Sequence, residues 1–122
     1  MVRAYRLFTG PDGDSHVERG SVALDSTVPA QTVMFAETPA HASLDWHNAP
    51  APQYVLTLTG TLEFRTRAGD VFTVAPGDVL IALDHTGTGH TWRLIDDAPW
   101  KRAYVVFEAG ADLRFAPDAA PR

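Results

Sequence analysis

Turn-forming residues interrupt this chain too often for a long helix. Nine glycines and nine prolines are spread over its 122 residues. No window of about eleven residues shows the 3.6-residue apolar period of an amphipathic helix. Short apolar or alternating runs recur instead, bounded by Gly, Pro, Asp and Asn, which is the pattern of an all-β sandwich or barrel. At roughly 100–200 residues per domain, the length predicts a single domain with one core.

The runs predict strands over 3–8, 21–24, 32–37, 43–47, 54–58, 62–66, 71–74, 79–83, 90–95 and 103–107. Pro76-Gly77-Asp78 reads as a turn with a mechanism, since proline presets φ and glycine permits a positive φ. In 62–66, Leu62, Phe64 and Thr66 face one way and Glu63 and Arg65 the other, the latter joining Arg67 on a solvated face. Residues 1–115 are expected to form the domain and 116–122 a loose tail.

Three strands, 54–58, 79–83 and 103–107, are apolar almost throughout. A strand with one wet face alternates, so these need cover on both faces. A second copy of the chain is the simplest cover, and a homodimer is expected. The alternative is cover by the N-terminal strands.

Ten basic residues stand against fifteen acidic ones, a net charge of −5. The nine arginines and one lysine are scattered, with no stripe to neutralise phosphates, so nucleic acid is not an expected partner. No run approaches the ~18 apolar residues of a membrane span. The N-terminal residues lack the apolar core of a signal peptide, and a cytoplasmic location is expected. With 45% apolar and 20% charged residues the chain is not of the disordered class.

Cysteine is absent, which removes disulfides, thiolate metal sites and a cysteine nucleophile. There is no Gly-x-Ser-x-Gly elbow. Neither a phosphate loop nor a Gly-x-Gly-x-x-Gly is present, and no nucleotide cofactor is expected. The informative residues are five histidines, at 16, 41, 47, 85 and 90. Imidazole is both a common metal ligand and a common general base near neutrality. His47 ends one strand and Gln53 begins the next, six residues on, with even parity if the segment stays extended. His90 opens a strand on which Trp92 and Leu94 share its face, which suits a pocket wall or a buried core histidine.

The stretch from Trp46 to His90 resembles the cupin superfamily, whose first motif is G-x5-H-x-H-x3-4-E-x6-G. Gln53 and Gly60 stand in the E-x6-G spacing, with glutamine in the glutamate place, and His47 falls on a histidine place with Ala49 in the other. With the longer spacing, Trp46 and Asn48 occupy both histidine places. The inter-motif turn appears as Pro76-Gly77-Asp78. Of the second motif, G-x5-P-x-G-x2-H-x3-N, Gly77 fits the start, Leu83 replaces the proline, and His90 lies two residues late. Asp45-Trp46-His47-Asn48-Ala49-Pro50 with the later Asp84-His85-Thr86-Gly87-Thr88-Gly89-His90, and the opening Asp12-Gly13-Asp14-Ser15-His16, look like a group of small bacterial single-domain cupins.

The resemblance implies a jelly-roll β-barrel with a pocket inside and one divalent transition metal, Fe, Mn, Ni or Zn. His47, Gln53 and His90 would be its ligands, with His47 and His90 also the catalytic groups. Trp46, Val55, Thr57, Phe64, Trp92 and His16 are the expected pocket residues, with His16 a candidate fourth ligand. Asp84 either orients His90 or caps its turn. The expected function is a metal-dependent enzyme on a small organic substrate, with oxygenase, isomerase or lyase chemistry open. The alternatives are a metal-free binding or sensing pocket, and a dimeric scaffold.

Overall fold

The structure, a computed structural model, describes residues 1–119. It is all-β, and no helix occurs among the described residues. The strands are β1 (Val2–Thr9), β2 (Ser15–Val22), β3 (Ala30–Thr38), β4 (Ser43–His47), β5 (Gln53–Thr59), β6 (Leu62–Thr66), β7 (Val71–Val74), β8 (Val79–Ala82), β9 (His90–Leu94), β10 (Trp100–Phe107) and β11 (Phe115–Pro117). They form a seven-stranded sheet, β11-β2-β1-β8-β5-β10-β3, and a four-stranded sheet, β4-β9-β6-β7. All pairings are antiparallel except β1 with β8. The sheets remain open, each with two edge strands, rather than closing into a hydrogen-bonded barrel.

Strand parity decides which residues meet. From the large sheet Leu7, Val55, Leu80 and Ala82 point inward, and from the small sheet Leu62, Phe64, Phe72, Val74 and Leu94. These make one core between the sheets, stacked through Phe64 and Phe72 with ring centroids 5.2 Å apart. Gln53, Val55 and Thr57 share the inner face of β5, and Tyr54 turns outward, as alternation predicts.

The outer face of β1, β5 and β8 is covered by the chain itself. Ala4, Tyr54, Val79 and Ile81 are buried beneath Val28, Leu113 and Phe115. The Tyr54 hydroxyl donates to the Leu113 carbonyl at 2.8 Å. Cover for this face comes from the segment around Val28 and from the chain after β10, with Val2 and Val22 of the N-terminal strands beside them. This corrects the loose tail. Phe115, Ala116 and Pro117 pair with β2, and the Asp118 amide donates to the Arg19 carbonyl at 2.8 Å. Gly20 makes this approach possible, because a Cβ there would lie 2.1 Å from the Ala116 carbonyl oxygen. Residues 120–122 lie outside the described residues.

β2 begins at Ser15, earlier than the predicted start at 21. The segment 10–14 is a compact reversal, closed by the Gly10 amide donating to the Asp14 carbonyl at 2.8 Å, so the chain re-enters the sheet at once. The polar residues His16, Glu18 and Arg19 masked the strand in the sequence.

Candidate functional site

A cavity of about 360 Å³ lies between the sheets. Its wall is mainly apolar, with Val55, Phe64, Leu80, Trp92 and Trp100 among the lining residues, and His47, Gln53 and His90 among the polar ones. A small-molecule site has this composition, an apolar body with a few converging polar groups.

His90, the first residue of β9, is buried. Its Nδ1 lies 2.6 Å from Oδ2 of Asp84, and the same oxygen accepts the Ser15 hydroxyl at 2.7 Å. Asp84 is fully buried, and its Oδ1 has no partner among the described residues. A carboxylate oxygen taking two donors places a proton on Nδ1 of His90 and leaves Nε2 as the nitrogen without a protein partner.

His47 pairs with His90 across β4 and β9, and the two rings meet edge to face, 4.4 Å between centroids at 62°. His47 Nδ1 donates to the Asp45 carbonyl at 2.7 Å, so its Nε2 too is unpledged. Burial pushes the His47 pKa down; the Asp45 carbonyl opposes this, and His90 adds to it. The net shift favours the neutral imidazole.

The loop after β8 holds this arrangement. The Asn48 amide donates to the Thr86 carbonyl at 2.9 Å and the Gly87 carbonyl at 3.1 Å. Gly89, with φ +75°, passes so close that a Cβ would lie 2.2 Å from the His47 carbonyl oxygen. The two sequence strings that carry the cupin resemblance therefore pack against each other around the histidines.

Of the expected pocket residues, Val55, Phe64 and Trp92 line the cavity, together with His47, Gln53 and His90. Three do not. Trp46 is 37% exposed beneath the Arg67 guanidinium, 3.7 Å from the ring centroid. A register irregularity between Leu44 and His47 explains it, since both of those residues reach the cavity and the intervening parity is broken. Thr57 faces inward but is buried behind Trp100, whose indole Nε1 donates to its hydroxyl at 3.2 Å. His16 sits outside the cavity, 2.9 Å from the Asp12 carboxylate, so it is not brought to the other candidates as a fourth ligand. His41 pairs with exposed Asp97 at 3.1 Å, and His85 bonds the Leu83 carbonyl at 3.0 Å.

Sequence reasoning missed Ser15, and it missed Arg102 and Tyr104, which line the cavity with Trp100. The signal for the last two was the alternation of β10, hidden by the apolar run from Ala103 to Phe107. Among the described residues no group of three or more His, Cys, Asp or Glu side chains converges as a metal site. The available donor set is two imidazoles and one amide. A scan against protein-family models matches none, and a search of the curated proteins finds no match.

Proposed function

We propose that the cavity is the working site of a small cupin-type enzyme of jelly-roll descent, with His47, Gln53 and His90 holding one divalent transition metal. The observation that carries this reading is the pair of imidazoles. Each is pinned through Nδ1, to Asp84 and to the Asp45 carbonyl, each keeps Nε2 unpledged, and both rings line the cavity that Gln53 also lines. Metal-binding histidines are commonly held in this way by a carboxylate or carbonyl behind the ring. Two imidazoles and an amide suit iron, manganese, nickel or zinc, with the remaining positions left to water or substrate. The metal would polarise a carbonyl or activate water or dioxygen.

The protein's own contribution is binding and orientation. Phe64, Trp92 and Trp100 enclose the apolar body of a small organic substrate and exclude water from it. Asp84 fixes the tautomer and the plane of His90. Oxygenase, isomerase and lyase chemistries are all compatible with this frame.

A metal-free reading draws on the same Asp84–His90 pair, through its burial. In that reading Nε2 of His90 accepts a proton from a bound ligand and Asp84 stabilises the imidazolium. Elemental analysis of the purified protein beside a His47→Ala/His90→Ala variant separates the two. Near-stoichiometric metal, lost from a variant that stays folded, supports the metalloenzyme. Parent protein that remains metal-free after incubation with iron, manganese, nickel and zinc removes it.

A homodimer is also proposed, now through β3. Among the described residues this strand is hydrogen-bonded only to β10, and it exposes Val33, Met34 and Phe35, the last at 74%. An edge strand with apolar residues and no proline or lysine is a template for pairing with a second copy.

A further inference from the structure

Arg102 differs from the arginines that are paired with carboxylates. Arg3 pairs with Asp118, Arg6 with Glu18, and Arg65 and Arg93 with Glu63. Arg102 has no carboxylate partner among the described residues, yet it is half-buried and lines the cavity. The cavity wall carries no Asp or Glu side chain, since Asp84 lies behind His90. In a chain of net charge −5, the cavity is thus walled by cationic and neutral groups only.

The guanidinium is held rigidly. Its Nη1 donates to the Thr38 hydroxyl at 2.6 Å and the Trp100 carbonyl at 3.1 Å, and its Nε donates to the Tyr104 hydroxyl at 3.0 Å. Its plane lies over the Trp100 ring, 4.0 Å from the centroid. Nη2, with two N–H groups, has no partner among the described residues. The Tyr104 hydroxyl accepts from Nε, so its own proton is free to donate. Oriented N–H donors on a fixed, permanently charged plane are what a carboxylate needs for recognition.

We propose that Arg102, assisted by Tyr104, anchors the carboxylate of the substrate, and that the substrate class is a small apolar monocarboxylic acid. This rests on the reading of the cavity as a small-molecule site. In the pairing of β10 with β5, Arg102 lies opposite Thr57 and Val106 opposite Gln53. Four residues of strand separate the anchor from the Gln53 level, roughly 13 Å before the side chains reach inward. The carboxylate therefore sits at one end of the cavity and the atoms to be transformed at the histidine end. The apolar body lies between them against Trp92, Phe64 and Val55. A single ring or short chain suits a volume of about 360 Å³.

The test uses phenylacetate and 3-phenylpropionate, each beside its neutral primary amide, titrated into the full-length protein. The readout is the indole N–H signals of Trp92 and Trp100 by NMR, with dissociation constants from the shifts. The acids are expected to bind at least about tenfold more tightly than the amides. In Arg102→Met the ratio falls to about one while amide affinity changes little. Arg102→Lys, which keeps the charge but not the fork, and Tyr104→Phe each give a ratio between those limits, and they carry the test if the methionine variant does not fold. Equal binding of acid and amide to the parent, or a preference that survives Arg102→Met, overturns the carboxylate anchor and leaves the cavity reading intact. If neither acids nor amides move the Trp92 and Trp100 signals, the anchor and the cavity reading fall together.

Discussion

Asp84→Ala is expected to destabilise the fold by about 3–5 kcal/mol. The side chain is fully buried and one of its oxygens takes two short hydrogen bonds, 2.6 Å from His90 and 2.7 Å from Ser15. Its removal loses both bonds and leaves a buried ring N–H and a buried hydroxyl without acceptors, each worth about 1–3 kcal/mol. Ser15→Ala removes one of the two donors and leaves Asp84 its bond to His90, so its cost is nearer 1–1.5 kcal/mol, on the order of one ordinary hydrogen bond. The double variant should then cost less than the sum, because deleting Ser15 also deletes one of the groups that Asp84→Ala strands. Urea unfolding followed by tryptophan fluorescence measures all three, with chelator present so that bound metal adds nothing. For a chain of this length the larger loss corresponds to a fall in Tm of roughly 10–20 °C. A loss below about 1 kcal/mol for Asp84→Ala, or strict additivity with Ser15→Ala, would refute the claim that one buried carboxylate holds both partners.

Two further outcomes test features outside the cavity. The His16 pKa is raised, chiefly by its hydrogen bond to Asp12, so its NMR titration midpoint should lie above 6.5 and fall toward that value in Asp12→Asn. The stabilisation from this pair is present below the pKa of the unfolded imidazole and is lost as pH rises through the raised folded value. An unchanged midpoint in the variant would discard the pair. Sedimentation should give a dimer for the parent and a monomer for Phe35→Glu, which places a charge on the exposed face of β3; a monomeric parent removes the proposed association.

Much of the architecture is legible wherever one face of a strand is buried, because alternation then writes the burial into the sequence. Leu62, Phe64 and Thr66 on β6, and Gln53, Val55 and Thr57 on β5, face inward as their parity predicts. Legibility fails where the backbone leaves that rhythm. The irregularity between Leu44 and His47 turns Trp46 outward, and no residue in the string announces it. β2 is hard to see because it sits between two neighbours in the sheet while carrying polar side chains that pair locally, such as Glu18 with Arg6. The cover over Tyr54 and Ile81 is invisible for a different reason. It comes from Val28, Leu113 and Phe115, which are separated by most of the chain and show no period of their own. At the site, His47, Gln53 and His90 were identifiable as polar residues at strand ends, whereas Ser15 joins them only through a contact 69 residues away in sequence.

The two long walls of the cavity differ in how firmly they are held. Among the described residues of one copy, β10 is hydrogen-bonded on both sides, to β5 and to β3, whereas β3 has β10 alone. Trp100 therefore stands on the stiffer wall and Met34 and Ala36 on the more yielding one, while Arg102, rooted in β10, bridges to Thr38 of β3. On the proposed reading, such a site would fix a molecule's charged end through the Arg102 bridge and be lenient about the outline of its apolar remainder. If the cavity takes the acids proposed above, its selectivity would be steep across functional groups and shallow across homologous chains and rings.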